Sequence, residues 1–313
     1  MPERLDVAPS WAAAFLESRY GAGVGELGPI NHGEWSRTYS FVLKGRRRIV
    51  RFSVLDEDFL KDRGAAELVA GALPVPPVLE FGEAFGGFFA VTDFLPGTPL
   101  DDLDAAGMTR ALPSLLTTLD TLRGIDLGAE TGYGGWIPGR GGFQRSWREY
   151  LLQAGEDSPG GRTHGWRERL HASATGDGPY LRARQRLFEL APSCPEIRHL
   201  IHNDLLNYNV LVEDGRVSAL LDWGCSLYGD FLYDLGLLSF ASAWVKTMRH
   251  IDVREEARRH FREIGLEVPG FDERLTCYEI HVGLDAQAYQ AFTSRWEELA
   301  FCAERTLRLA GLS

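Results

Sequence analysis

Residues 199–223, HLIHNDLLNYNVLVEDGRVSALLDW, carry four side chains able to do chemistry: His202, Asp204, Asn209 and Asp222. NVLVE and RVSALLD flank Asp214-Gly215, a dipeptide that favours a two-residue strand turn because both positions tolerate positive φ. A hairpin returns its ends to one place. Asp204 and Asn209, ahead of the first strand, are therefore expected to meet Asp222 at the far end of the second. Two carboxylates and an amide in convergence suit a hard divalent cation such as Mg2+, which takes oxygen ligands.

The spacing matches H-x-D-x-x-x-x-N followed by a metal-binding Asp, the phosphoryl-transfer pattern of protein kinases. In that chemistry Asp204 orients the attacking hydroxyl and accepts its proton. Asn209 and Asp222 hold Mg2+ against the phosphates of the donor, and the protein contributes position and charge neutralisation. His202 is expected to brace the loop by a hydrogen bond, with no part in proton transfer. The competing reading makes these residues simple caps and turns, but four matching positions joined by a hairpin outweigh it.

The elements that must position these groups fall into two regions. SWAAAFLESRY (10–20) reads as a helix with Ser10 as N-cap and Gly21 as its stop. SRTYSFVL and RRRIVRFSV read as strands joined through Lys44-Gly45. DFLKDRGAAELVAGAL (58–73) reads as a helix, and VLEFGEA and GFFAVTDFL as two strands separated by Gly86-Gly87. The order β-β-α-β-β gives way at FLPGTPL to a chain dominated by apolar spacings of three and four. This predicts an N-terminal lobe over 1–94, a hinge at 95–100 and a helical lobe over 101–313, with the ligand cleft between the lobes. GVGELG (23–28) fits a dinucleotide fingerprint, yet it follows a helix and precedes a proline, so it is read as a loop. GGWIPGRGGF (134–143) is read as a glycine-rich loop.

Composition narrows the class. Thirty-three basic and 44 acidic residues leave a net charge of −11, which argues against a nucleic-acid partner, since phosphate backbones want a basic face. The same acidity would serve solubility and could also draw in a cationic small molecule. The four cysteines, Cys194, Cys225, Cys277 and Cys302, have neither metal nor disulfide spacing and are expected as reduced thiols. No run of apolar residues approaches a membrane span and the first residues do not read as a signal peptide, so a cytoplasmic, membrane-free and monomeric protein is expected. HExxH, G-x-S-x-G and G-x-x-x-x-G-K-[ST] do not occur, which removes zinc-protease, serine-hydrolase and P-loop readings.

IHNDLLNYNVLVEDGRVSALLDW resembles the catalytic segment of the aminoglycoside phosphotransferase family, nearest its hygromycin B enzymes. The resemblance extends to DFLKDR, ALPVPPVLEFGE, TGYGGWIPGRGGFQRSWREY, CPEIRHLIHND and GLDAQAYQ, and so covers most of the chain. It implies an α+β, bilobal protein-kinase-like fold with a small antiparallel-sheet N-lobe and a larger, mainly helical C-lobe. It also implies phosphorylation of an aminoglycoside hydroxyl by ATP or GTP, inactivating the antibiotic. On the donor side it places Arg51 where a strand lysine usually contacts the phosphates, with Asp62 favoured over Glu67 as its partner. Gly33 and Ser36 are assigned to the phosphate-covering loop, and the backbone of Asp93, Phe94 and Leu95 to the base. On the acceptor side it points to Asn207, Tyr208, Asp230 and Trp244, with Asp234 tying the catalytic loop in place. Tyr208 stands where relatives carry a smaller residue, which puts hygromycin B itself in question.

Two alternatives share the residues. A kinase of the same fold acting on choline, methylthioribose, homoserine or a macrolide would differ only in its grafted acceptor site. A non-catalytic nucleotide-binding module would keep the shape alone, although the complete Asp204, Asn209 and Asp222 set argues against it.

Overall fold

The computed structural model describes residues 5–30 and 35–312. The first helix, α1 (Pro9–Tyr20), has Pro9 in its first turn, where a missing N–H costs nothing. Ala8 rather than Ser10 is therefore the N-cap, and no side chain caps it. Gly21 ends the helix at φ 71°, as expected.

Five antiparallel strands follow: β1 (Val24–Ile30), β2 (Ser36–Leu43), β3 (Arg46–Ser53), β4 (Val78–Ala84) and β5 (Gly87–Asp93), in the spatial order β1-β2-β3-β5-β4. β1 is made from the GVGELG stretch, which corrects its reading as a loop. The edge position accepts a glycine-rich strand, and a register shift between Gly25 and Gly28, with Glu26 at φ 51°, accommodates it. The β2–β3 turn is Lys44-Gly45, at φ 52° and 77°. The β4–β5 turn falls on Phe85-Gly86, one residue earlier than expected, at φ 55° and 78°. Between β3 and β4 runs α2 (Glu57–Leu68), which stops short of residue 73.

The inner face of this sheet and α1 close one core, with Leu16, Phe41, Val50, Phe52 and Phe89 each at most 1% exposed. The other core belongs to the rest of the chain, and Ala65 of α2 and its C-cap Val69 join it. Gly64 explains the close docking. A Cβ there would lie 2.5 Å from Pro138 and 3.1 Å from the Trp136 ring. The helix that carries Asp62 thus packs on the larger body as well as on the sheet, where Phe59 meets Phe81 of β4 and the Arg51 guanidinium of β3.

After β5 the chain forms β6 (Thr98–Pro99) and α3 (Ala105–Arg123), whose N-cap Asp104 accepts the Gly107 N–H. The expected 134–143 loop is instead a hairpin of β7 (Tyr133–Ile137) and β8 (Gly141–Gln144). Its glycines are required by contact, since a Cβ on Gly142 would lie 2.3 Å from the Tyr133 N–H nitrogen. There follow α4 (Trp147–Leu152), α5 (Trp166–Ala172), α6 (Gly178–Leu190), β9 (His199–Ile201), β10 (Val210–Glu213), β11 (Arg216–Leu220) and β12 (Leu227–Gly229). The C-terminal helices are α7 (Leu232–Ala241), α8 (Val253–Glu263), α9 (Phe271–Thr293) and α10 (Trp296–Leu309). β10 and β11 form the hairpin read from Asp214-Gly215, at φ 51° and 74°. β6 adds to the other edge of β10, pairing Leu211 with Pro99 and Val212 with Thr98. No described helix is long and apolar enough to cross a membrane.

Candidate active site

The hairpin brings its flanking polar residues together. Asp204 lies on the turn leading into β10, where its two carboxylate oxygens are each held by an amide. Asn207 Nδ2 donates to Oδ1 at 2.8 Å and Asn209 Nδ2 to Oδ2 at 2.8 Å. Burial, opposed by these two amides and reinforced by the Asp222 charge, pushes the Asp204 carboxyl up to about 7. That value suits a group that must take and release a proton near neutrality.

Asn209 spends its amino group on Asp204, donating to both its side chain and its backbone carbonyl. This orients its carbonyl oxygen away from Asp204 and leaves it as the acceptor. Asp222 gives Oδ2 to Arg51, and its side chain is 42% exposed. An amide oxygen and a carboxylate oxygen are a donor set that fits Mg2+, which completes its shell with phosphate and water. Burial works against the charge on Asp222, but Arg51 and the Gly224 N–H prevail and hold its carboxyl below the usual range. No group of three or more Asp, Glu, His or Cys able to form a closed metal cage occurs among the described residues.

Four of the nine non-glycine residues with positive φ among those described are in this site: Asn203 (60°), Asn207 (60°), Tyr208 (69°) and Asp222 (56°). Each such conformation costs about 1–2 kcal/mol, and each is tied down. The Asn203 N–H donates to Asp234 Oδ1 at 2.7 Å and the His202 N–H to Asp234 Oδ2 at 2.9 Å. The N–H groups of Asn207 and Tyr208 donate to the two oxygens of Asp101 at 3.1 and 2.9 Å. His202, fully buried, bonds through Nε2 to the Leu221 carbonyl at 2.9 Å and accepts the Asp204 N–H on Nδ1 at 3.2 Å. This requires the neutral Nε2–H tautomer, and burial accordingly lowers the ring to about 4. His202 thus staples the first arm of the site to the last residue before Asp222.

Arg51, in the middle of β3, spans two carboxylates: Nη1 donates to Asp62 Oδ2 at 2.6 Å and Nη2 to Asp222 Oδ2 at 3.1 Å. Only a planar fork reaches both at once. Asp62 also accepts the Trp223 N–H at 2.8 Å, whereas Glu67 is exposed on the same helix. Lys61 Nζ donates to the Gly224 carbonyl at 2.8 Å, and Arg162 pairs with Asp58 at 2.6 Å. Adjacent residues Lys61 and Asp62 of α2 are therefore fastened to Trp223-Gly224, with the Asp58–Arg162 pair one turn earlier.

Among the remaining expected residues, Ser36 is the buried first residue of β2, and Gly33 lies outside the described residues. Asp93 ends β5 and pairs with Arg48 at 3.1 Å. The Phe94 N–H donates to the Arg47 carbonyl at 3.3 Å, its half-exposed ring lies beneath the Arg47 guanidinium, and Leu95 follows, partly buried. Trp244 is 39% exposed, and its ring meets Phe240 and Phe301 rather than the catalytic loop.

Asp230 is a correction. It was expected on the acceptor rim, but it is 0% exposed, holds Arg274 through both oxygens at 2.7 and 2.9 Å, and accepts the Tyr278 hydroxyl. With every oxygen lone pair facing a protein donor, it is a structural ion pair between β12 and α9. Asp101, Lys61, Asp58 and Arg162 were not singled out from the sequence, because their partners lie more than 100 residues away and leave no local pattern.

Comparison with known proteins gives consistent relatives. Residues 26–273 match the phosphotransferase enzyme family. The hygromycin-B 4-O-kinase of Escherichia coli is 29% identical over 279 residues, covering 88% of this chain and 77% of that protein. The crystal structure of aminoglycoside phosphotransferase APH(4)-Ia superposes with a TM-score of 0.84 at 25% identity, over 98% of this chain and 99% of the other. A thermostable mutant of that enzyme, in ternary complex with AMP-PNP and hygromycin B, gives 0.82 at 26% identity over 96% and 97%. The fold is accordingly the α+β protein-kinase-like one, with a small antiparallel sheet and a larger helical body. The macrolide 2'-phosphotransferase MphH of Brachybacterium faecium shares this fold at 20% identity and a TM-score of 0.58, over 94% of this chain and 96% of that one.

Proposed function

The chain belongs to the phosphotransferase enzyme family, and from that premise we propose that it moves the γ-phosphoryl group of a nucleoside triphosphate onto a hydroxyl of an aminoglycoside of the hygromycin B type. The observation that carries this reading is the Asp204 carboxylate, held by two amides beside the Asn209 and Asp222 oxygens. It occurs in a chain alike over nearly its whole length to an enzyme crystallised with AMP-PNP and hygromycin B.

In this mechanism the acceptor hydroxyl hydrogen-bonds to Asp204, which takes its proton as the oxygen bonds to phosphorus and the nucleoside diphosphate leaves. Asn207 and Asn209 fix the rotamer of Asp204, so that its free lone pair meets the hydroxyl without reorganisation. Asn209 and Asp222 would hold Mg2+, which supplies neutralisation of the phosphate charge. Arg51, steadied by Asp62, turns towards the donor phosphates. The Phe94 N–H is already engaged by Arg47, which leaves the Asp93 carbonyl and the Leu95 N–H to meet the base. Ser36, and Gly33 beyond the described residues, belong to the phosphate-covering segment. Asn207, Tyr208 and Trp244 serve the acceptor. We divide the chain as an N-lobe to residue 94, a hinge at 95–100 and a C-lobe from 101, with α2 packed between the sheet and the C-lobe core.

The test is release of nucleoside diphosphate from ATP and from GTP with and without hygromycin B. Turnover stimulated by hygromycin B is expected. In Asp204→Asn it falls by about 10²–10⁴-fold, the usual worth of a positioned general base, while nucleotide binding persists in a calorimetric titration. Stimulation by a macrolide and by no aminoglycoside would move the acceptor to the second reading, which the bulk of Tyr208 beside Asn209 favours.

A further inference from the structure

Trp35, the residue before β2, belongs in sequence to the small sheet, yet its half-buried ring packs against the core of the larger body. The guanidinium of Arg162 lies over that ring, 6.0 Å from its centroid. Arg162 comes from the connection between α4 and α5, which is braced from within. There the Asp157 carboxylate accepts the N–H groups of Gly165 at 2.8 Å and Arg167 at 3.2 Å, and meets His164 Nδ1 at 3.0 Å. The arginine therefore projects from a mount fixed to the larger body.

The same guanidinium grips Asp58 of α2 through two nitrogens, Nη2 to Oδ1 at 2.6 Å and Nη1 to Oδ2 at 3.3 Å. Asp58 is 6% exposed, and its carboxylate rests on the backbone of Gly224, where a Cβ would lie 2.7 Å from Oδ1. One turn further along α2, Asp62 holds Arg51. A single side chain of the larger body thus joins two pieces of the small sheet's region that are apart in sequence. One is the residue next to Ser36, and the other is the helix that steadies Arg51. A guanidinium can serve both, because its edge suits a carboxylate and its face suits an aromatic ring.

We infer that Arg162 is a positioning residue for the phosphoryl donor, fastening Trp35, and with it Ser36 of the phosphate-covering segment, to α2 and the larger body. This rests on the proposed function, which assigns Ser36, Arg51 and Asp222 to the nucleoside triphosphate. The effect works through population. Without Arg162 the Trp35 end of β2 is in place in only a fraction of molecules, and apparent donor affinity falls by that fraction. Loss of the ring contact and the two-nitrogen grip together should leave about one molecule in ten competent.

The experiment compares wild type with Arg162→Met, Trp35→Leu, the two combined, and Arg162→Met combined with Asp58→Asn. The readouts are calorimetric titration with AMP-PNP and Mg2+, steady-state turnover with hygromycin B, and thermal melts. Arg162→Met and Trp35→Leu should each weaken AMP-PNP binding about tenfold and raise nucleotide KM to match, with acceptor KM within about twofold. Combined, they should lose no more than about twofold beyond either alone, because both cut one link. Arg162→Met also strands the buried Asp58 charge and should lower Tm. Adding Asp58→Asn should restore Tm while nucleotide affinity stays weak, which a merely structural pair would not produce. Unchanged AMP-PNP affinity in Arg162→Met overturns the inference and leaves the proposed function standing. So does recovery of affinity along with Tm when Asp58→Asn is added, and so do losses that multiply in the Trp35→Leu combination. Should Arg162→Met fail to fold, Trp35→Leu, which leaves the ion pair intact, carries the test, and wild-type affinity in it overturns the inference. A wild type that binds AMP-PNP but turns over no aminoglycoside refutes the proposed acceptor, while the titrations still decide the role of Arg162. One that binds no nucleotide refutes both.

Discussion

Replacing Asp234 with asparagine separates the stability of this protein from the geometry of its catalytic loop. Asp234 is 2% exposed and accepts two backbone N–H groups, from His202 at 2.9 Å and Asn203 at 2.7 Å. An asparagine keeps one acceptor and turns an NH2 group towards the second N–H. One charge-assisted bond is lost, about 1.5–3 kcal/mol, and one buried N–H is left unmatched, at about 1–3 kcal/mol. Working the other way, burial lifts the Asp234 carboxyl to about 6 even with these two bonds in place, and a neutral amide is free of that cost of burying charge. These contributions nearly cancel. The net loss of global stability is about 1–2 kcal/mol, or a drop of about 2–4 °C in Tm. The local effect does not cancel. Asn203 sits at φ 60° immediately before Asp204, and without its anchor this conformation loses the contact that offsets its own cost of about 1–2 kcal/mol. Released, it lets Asp204 leave the geometry set by Asn207 and Asn209. We expect kcat to fall about 10- to 100-fold at nearly constant nucleotide KM. Thermal melts and steady-state release of nucleoside diphosphate measure the two effects on one sample. A variant that keeps kcat within twofold, or that loses activity only in proportion to its unfolded fraction, would refute the reasoning.

Other outcomes follow from the same contacts. Arg51→Lys keeps the charge but not the fork, so it should raise nucleotide KM about tenfold, the loss of one charge-assisted bond; unchanged titration curves would count against the bridge. Asp230→Asn strips a buried guanidinium of its partner and should cost about 3–5 kcal/mol, while the folded fraction keeps its acceptor KM; a changed KM with an unshifted melt would restore Asp230 to the acceptor site. His202, His199 and His281 all have pKa values lowered by burial, His202 to about 4. Their rings stay neutral in the fold and take protons more readily once unfolded, so the stability they confer is complete above the unfolded value of about 6.5 and is lost as pH falls from there towards 4. The raised carboxyls of Asp204 and Asp234 act in the opposite sense over the same window, so the His202 share is read as a difference. The Tm advantage of wild type over His202→Gln should shrink as pH falls from about 6.5 to about 4, and a pH-independent difference would contradict the tautomer assigned here.

Local pattern made much of this legible. Asp214-Gly215 announced the hairpin, the hairpin implied the meeting of Asp204, Asn209 and Asp222, and the β-branched runs before residue 94 announced the sheet. What escaped was fixed by long-range contact. GVGELG became a strand because β2 offered it an edge, and GGWIPGRGGF became a hairpin because its glycines let two backbones touch. Asp230 looked like an exposed carboxylate until Arg274, 44 residues away, was seen to bury it. Asp101 has no sequence mark at all. It lies in an acidic run where each residue reads alike, and its role is set by two N–H groups of a loop 106 and 107 positions downstream.

The pairing of β6 with β10 places the stretch just beyond Asp93, Phe94 and Leu95 on the same ladder that leads back to Asn209, and Asp101 locks the next residues to the loop itself. Under the proposed function, donor choice and acceptor turnover therefore share one mechanical part. A change at Gly97, where a Cβ would strike the Ser218 hydroxyl at 2.4 Å, cannot retune the base contact without also moving the proton acceptor. In such an architecture, evolution towards a different nucleotide is taxed in speed, and variants that escape the tax should carry a second substitution along the same ladder.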